Sequence, residues 1–555
     1  MKKRHSFILI ILTFSFGSCN FLDTKVDVMP TWEDVEKTRY RAFDFGYTPY
    51  GYLRNNFSYI DNNIDAAMSD EAEQTSSFSN AQLFNNGSWN AVSNPDEVYG
   101  NNYKGIRAVN FFLEYTKEFR ELLAKDRDTI SSSGKYNYDL DVERMAFLRA
   151  ENKVLRAFFY FDLIKRYGDV PYLTEALEKE DNLDLPRTSY TEIIKSIVSD
   201  IDAVIDELQV DWKQYNAELD GRITQGTALA LKSRILLYNA SPLFNENNDV
   251  QRWQQAARAA HDIIQSNRYW LSGNYQNLFL EDNSINDNEI IFSMRYGQSN
   301  TLERLNYPIG TPGGASGVTP SHNLVSAYEY KGTPVENDPY ANRDPRLTYS
   351  IVTHNSQWNG RTINITPGAT DSRTNPNTSK TGYYLKKFLN PNLNLLQDES
   401  RMRNWVEFRY AEILLNYAEA MNEAYGPDNN NGFSLTARQA INMVRKRAGV
   451  EMPDVVAVSK DEMRNRIKHE RRIELAFEGH RLWDLRRWKD AETVLNQPLM
   501  GIRVDNQGGN YVYSTFEVEK RVFLAPKMYK YPIPQIEINK SQLLQGNLKQ
   551  SPEWL

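Results

Sequence analysis

Residues 464–488 read Arg-Asn-Arg-Ile-Lys-His-Glu-Arg-Arg-Ile-Glu-Leu-Ala-Phe-Glu-Gly-His-Arg-Leu-Trp-Asp-Leu-Arg-Arg-Trp, and their pattern decides the fold. At about 100° per residue, Ile467, Ile473, Phe477, Leu485 and Trp488 share one broad face, which predicts an amphipathic helix, bent at Gly479, with that face buried. Arg464, Arg471, Arg472, Arg486 and Arg487 fall off the apolar face, whereas Arg466, Arg481, Glu470, Glu474 and Asp484 project among the apolar side chains. Glu474 and Glu478, four residues apart, repel unless each finds an arginine, and charged groups are rarely buried unpaired. The stretch therefore predicts a partly buried lattice of guanidinium and carboxylate groups. A nucleic-acid patch is disfavoured, because acids sit among the bases and the chain carries a formal charge of −7.

Working outward, helical periodicity recurs at 406–424 and 435–448, and earlier at 32–45, 97–123, 142–167, 190–208, 224–239 and 252–266. Gly168 and Pro171 stop the 142–167 helix. Short helices joined by turns predict stacked helical hairpins of tetratricopeptide type, although no repeat signature is legible. Between the two helical blocks, 270–396 turns to Gly, Pro and Asn loops with strand-like runs at 289–293 and 347–352. The expected architecture is mostly α, a helix-pair scaffold at about 97–266 and 406–488 with a loop-rich irregular insert. Residues 55–95 form a second long polar loop region, and 532–554 an extended tail that packs back on the body.

The first residues form a separate unit. Met1-Lys2-Lys3-Arg4 is a basic start, 7–16 is an apolar run too short to span a bilayer, and Phe16-Gly17-Ser18-Cys19 closes it with small residues. This resembles a bacterial lipoprotein signal peptide, residues 1–18, with acylation at Cys19 and a lipidated tether over 19–30. Cys19 is the only cysteine, so no internal disulfide is available. Cleavage removes three cations and no acids, moving the formal charge from −7 to −10. No second apolar run of about 18 residues follows, so the protein is expected to sit on a membrane through its lipid.

Several further motifs accompany the opening stretch. They are Phe21-Leu22-Asp23 after Cys19, Arg166-Tyr167-Gly168-Asp169-Val170-Pro171, Arg222-Ile223-Thr224, Asn342-Arg343-Asp344-Pro345-Arg346, Arg409-Tyr410-Ala411-Glu412-Ile413-Leu414-Leu415-Asn416-Tyr417-Ala418-Glu419-Ala420, and Ile441-Asn442-Met443-Val444-Arg445-Lys446-Arg447-Ala448-Gly449. In order and spacing the chain resembles the SusD/RagB family of outer-membrane nutrient-binding lipoproteins from Bacteroidetes. One departure is the closing Gln550-Ser551-Pro552-Glu553-Trp554, where the family tends towards Gln-Asn-Pro-Gly-Trp. The resemblance implies one SusD-like domain over 31–555, with four tetratricopeptide-type helix pairs scaffolding a ligand region at about 55–95 and 270–396. It also implies a non-catalytic binding protein on the cell surface, partnered by a SusC-like TonB-dependent transporter. Glycans are the usual ligand, and the RagB branch handles peptides.

Ligand contact is expected in the variable loops. Sugars present flat C–H faces and rims of hydroxyls, so a site wants exposed aromatics flanked by Asn, Asp, Gln or Arg. Trp89, Tyr296 and Trp358 have such flanks, and Tyr307 and Asp70 are weaker candidates. Loop packing is the competing role for each aromatic. Arg343, Asp344 and Arg346 read as a turn fixed by a salt bridge, and Glu412 and Glu419 as scaffold.

Enzymatic readings fare poorly. His-Glu-x-x-His, a Gly-x-Ser-x-Gly elbow and a Walker loop are absent, and the six histidines lack metal-ligand spacing. An Asp- and Asn-rich loop at 61–70 lacks the EF-hand pattern. No cofactor, metal or nucleic acid is expected. The rivals are peptide capture by the same architecture and a surface glycoside hydrolase, which would need two pocket carboxylates about 5 to 9.5 Å apart.

Overall fold

A computed structural model describes residues 39–555 except 126, 178–180 and 281–284; the leader, Cys19, the tether and residues 32–38 of the first expected helix lie outside the described residues. Helix starts follow from local chemistry. Ser189, Thr224, Thr436 and Ser459 each accept from the third helical N–H while the residue there bonds back, so these capping boxes open four helices. The longer helices are α1 (Arg39–Tyr47), α2 (Tyr99–Tyr115), α3 (Ser132–Tyr167), α4 (Tyr190–Val204), α5 (Gln225–Ala240), α6 (Val250–Gln265), α7 (Tyr410–Tyr425), α8 (Ala437–Arg445), α9 (Lys460–Glu474) and α10 (Arg481–Arg487). Gly168 ends α3 at φ 71°, a left-handed position that glycine adopts freely.

Neighbouring helices pack on one another: α2 on α3, α3 on α4, α5 on α6, α6 on α7, and α7 on both α8 and α9. The mostly α, helix-paired architecture expected from the periodicity is the one observed. Strands occur in antiparallel pairs. β1 (Ala72–Gln74) meets β3 (Val318–Pro320), β2 (Ile290–Ser299) meets β4 (Arg401–Arg409) with Met294 opposite Trp405, and β5 (Leu499–Gln507) meets β6 (Asn510–Glu519). The main apolar core runs from Phe57 to Leu548 and joins both helical blocks to the loops; a smaller core gathers Ala42, Phe112 and Leu148.

The stretch 464–488 departs from its expectation. It is two helices, α9 and α10, separated by a turn in which both Phe477 (φ 67°) and Gly479 (φ 76°) are left-handed. Tertiary bonds account for the break. The Glu474 carbonyl accepts from Arg409 and Tyr275, each at 2.8 Å, and the Phe477 N–H donates to Glu71 at 3.0 Å instead of continuing the helix. Arg471, Arg486 and Arg487 are also buried, not off the packed face. Elsewhere, 406–409 is strand rather than helix, 346–350 is helical with only 351–352 as strand, and the β5–β6 hairpin was not anticipated.

The charge lattice is present and deeper than anticipated. Glu474 accepts from Arg447 at 2.6 Å and from Arg409 and Arg346 at 2.7 Å. Glu478 takes Arg409 and Lys387, each at 2.7 Å, while Glu470 takes Arg346 and Arg445. A second cluster joins Arg471 and Arg487 to Asp484, and Arg487 to Glu419. Each arginine offers five donors in a fixed fork, so a carboxylate shared by three of them fixes four chain segments at once. Removing one member of such a buried set costs about 3–5 kcal/mol, because a partner is left charged and dry. Among the described residues Arg343 forms no such ion pair; its guanidinium donates to the carbonyls of Pro339 and Tyr328.

Candidate ligand-binding site

Four of the five candidate contact residues are inside the protein. Trp89 is 2% exposed: its ring stacks on Phe84 at 5.1 Å and meets Tyr531 and Trp554 at 4.9 Å, so no face is open to a ligand. The tail that supplies Trp554 packs back on the body as anticipated, with helix 535–542 inside it. Trp358 and Tyr307 are brought together, edge to face at 5.1 Å, and both are buried. Asp70 accepts from Arg472 at 2.6 Å and Arg481 at 2.7 Å, which ties its loop to α9 and α10. These residues therefore serve packing and ion pairing. In the 61–70 loop, Asp61 accepts from Ser79 and Asn80.

Tyr296 is half-buried, edge-on to Phe57, with its hydroxyl donating to the Arg54 carbonyl at 3.3 Å. Its neighbour Arg295 opens onto a cleft of about 490 Å³, walled by the α4–α5 loop, the residues that follow α6 and the start of β2. Trp270, 55% exposed, lines this wall beside half-buried Tyr269.

Local structure holds the cleft open. Asp211 caps a short helix at the Lys213 N–H, and buried Trp212 donates to the Ile223 carbonyl at 2.9 Å. Arg222 lies over the Trp212 ring at 4.0 Å and is fixed by Glu151, whose carboxyl burial pushes up to about 7 against the pull of that guanidinium. Arg295 donates to Asp220 at 2.8 Å across Gly221, which stands at φ +95°; a Cβ there would lie 3.1 Å from the Arg295 guanidinium carbon. Lys213 donates to the Ile285 carbonyl and to Asn286 Oδ1.

The arrangement offers an indole face beside Arg268, Gln214 and Asn288. An exposed indole stacks on sugar C–H faces, and amides and guanidinium groups bind hydroxyls. The cleft's acids are already engaged: Asp220 by Arg295 and Gly221, Asp287 by Ser272 and Glu289, and Asp211 by the cap. Among the described residues no group of three or more His, Cys, Asp or Glu is placed to hold a metal. Trp270 was missed because it stands at the boundary between helix and insert. The signal was Arg268-Tyr269-Trp270 leading through Leu271 into Ser272-Gly273-Asn274.

Residues 281–554 match the sequence profile of the SusD family, and residues 21–237 a second profile described as starch-binding associating with outer membrane. SusD-like protein P38 of Formosa agariphila is 30% identical over 372 residues, which cover 64% of this chain and 69% of that one. This chain belongs to the SusD family. Among solved structures, a SusD-like protein from Bacteroides fragilis NCTC 9343 superposes at TM-score 0.75 with 26% identity, covering 94% of this chain and 97% of that one. A SusD-like carbohydrate binding protein from the same strain superposes at 0.73 with 25% identity over 94% and 99%. The SusD-like fold thus extends over nearly the whole chain.

Proposed function

We propose that this SusD-like protein is a surface lipoprotein that captures an oligosaccharide and hands it to a SusC-like TonB-dependent transporter, without catalysis. Acylated Cys19 holds it on the outer membrane, facing outward. The observation that carries the reading is the Trp270 cleft: an open cleft with an exposed indole and a polar rim, whose carboxylates are tied up by protein donors. Family membership and the carbohydrate-binding relative support it. One feature favours peptide as the second ligand class. Among the described residues β2 pairs with β4 alone, and Ile290, Ile291, Phe292 and Ser293 line the cleft, so an extended peptide could add to that strand.

Calorimetry against plant and host polysaccharides and a peptide digest separates the two. A glycan titration with no released product is expected, and Trp270→Ala should weaken it about tenfold, the value of one stacking contact near 1.4 kcal/mol. Unchanged glycan affinity in Trp270→Ala removes the cleft from the reading, and binding of peptides alone moves the protein to the peptide branch.

A further inference from the structure

The outer face of the β5–β6 hairpin carries an arrangement that the Trp270 cleft does not use. Register places Phe516 opposite Gly501 and Ser514 opposite Arg503. Gly501 has no side chain, and that lets the Phe516 ring lie across the hairpin: a Cβ there would sit 2.8 Å from the ring and 2.9 Å from the Thr381 carbonyl. Two guanidinium groups flank the ring. Arg373, from the loop after Asp371, stands 4.1 Å from its centroid, and Arg503 stands 5.6 Å away.

Both arginines are exposed. Among the described residues neither guanidinium donates a hydrogen bond, and neither has a carboxylate within 4.0 Å, although Asp371 on one side engages Arg361 and Asp505 lies on the hairpin itself. This contrasts with the interior, where Arg346, Arg409 and Arg447 are engaged by carboxylates. Two like charges thus stand beside one ring without an acid of the protein between them, in a chain of formal charge −7. Partial burial and the presence of Arg503 both pull the Arg373 pKa below its ordinary value, in keeping with their closeness. Stacking on an aromatic face leaves a guanidinium's N–H edge free, and that edge matches the two oxygens of a carboxylate or sulfate.

The geometry points to a second binding site, in which Arg373 and Arg503, braced by Phe516, grip an oxyanion carried on a sugar ring, so that the polysaccharide taken is an acidic one. This rests on the reading of the protein as a glycan binder but not on the Trp270 cleft. The chemistry is common to uronates and sulfate esters, and the test separates them.

The purified protein is run through native gels containing polygalacturonate, dextran sulfate or neutral dextran, beside the Arg373→Gln/Arg503→Gln and Arg373→Lys/Arg503→Lys double variants and Trp270→Ala, with circular dichroism to confirm folding. Retardation by polygalacturonate assigns a uronate and by dextran sulfate a sulfate ester. The Gln pair should lose about tenfold in affinity for that polymer. The Lys pair, which keeps the charge without the fork, should recover only part of it. Wild-type protein that ignores both acidic polymers overturns the inference, as does a Gln pair that binds like wild type. A Lys pair equal to wild type overturns the bidentate grip. If Trp270→Ala loses neutral glycan while the acidic polymers are ignored, this inference fails and the cleft reading stands.

Discussion

At the scale of single residues, burial decides what an aromatic or an acid does. Trp89 has the polar flanks of a sugar platform, yet Phe84, Tyr531 and Trp554 enclose it. Trp89→Ala should therefore cost about 3–5 kcal/mol of stability, read by urea denaturation, and leave ligand affinity in the surviving folded protein unchanged. Glu71 and Glu474 show how environment sorts two glutamates. Burial raises the Glu71 carboxyl to about 8. Burial would raise Glu474 too, but Arg447, Arg409 and Arg346 outweigh it and hold that carboxyl at about 2. In the unfolded chain both titrate near 4.3. Glu71 therefore detracts from stability progressively as pH rises from there towards 8, because the unfolded chain ionises first. Glu71→Gln, which keeps an oxygen for the Phe477 N–H, should stabilise the protein by about 1–3 kcal/mol at pH 8.5 and by little at pH 4. Equal effects at both pH values would mean that Glu71 is ionised in the fold.

At the scale of elements, start signals proved more legible than stop signals. The capping boxes lie within a few residues in sequence, so Ser459 announces α9 without tertiary help. Ser459→Ala should lower the unfolding free energy by about 1 kcal/mol, measurable as a shifted denaturant midpoint with unchanged slope. The end of α9 is different. Its last carbonyl and the Phe477 N–H are claimed by Tyr275, Arg409 and Glu71, partners far away in sequence, so periodicity carried on through a break it had no means to register. The same holds at 406–409, where pairing with β2 makes strand of a segment whose apolar residues suit either period. The β5–β6 hairpin did have a local signal, Gln507-Gly508-Gly509-Asn510 between alternating residues.

At the scale of the whole molecule, the charge lattice binds the second helical block to the insert: Glu289 and Arg346 from the insert meet Arg409, Arg447 and Glu474 from the scaffold. Acid should dissolve this union. In addition to Glu474, the carboxyls of Asp70, Asp484 and Glu419 are pulled below their ordinary range by arginines that outweigh burial. Their folded values lie below the unfolded ones, so their contribution is complete above about pH 4.5 and is lost as pH falls through the folded values. The melting temperature should accordingly drop steeply between about pH 4.5 and 2. A flat profile there would show that the lattice adds nothing to stability.

The sequence by itself determined the helical class, the family, the presence of an arginine–carboxylate lattice and the approximate bounds of most helices. These follow from periodicity, caps and ordered motifs, which are local or need only order along the chain. Tertiary structure alone decided which aromatics face solvent. Trp89 and Trp270 both stand among polar loop residues, and what separates them is the tail, since Trp554 covers one ring while the other borders an open cleft. Exposure is set by what distant segments leave uncovered, and no short stretch of chain contains that information.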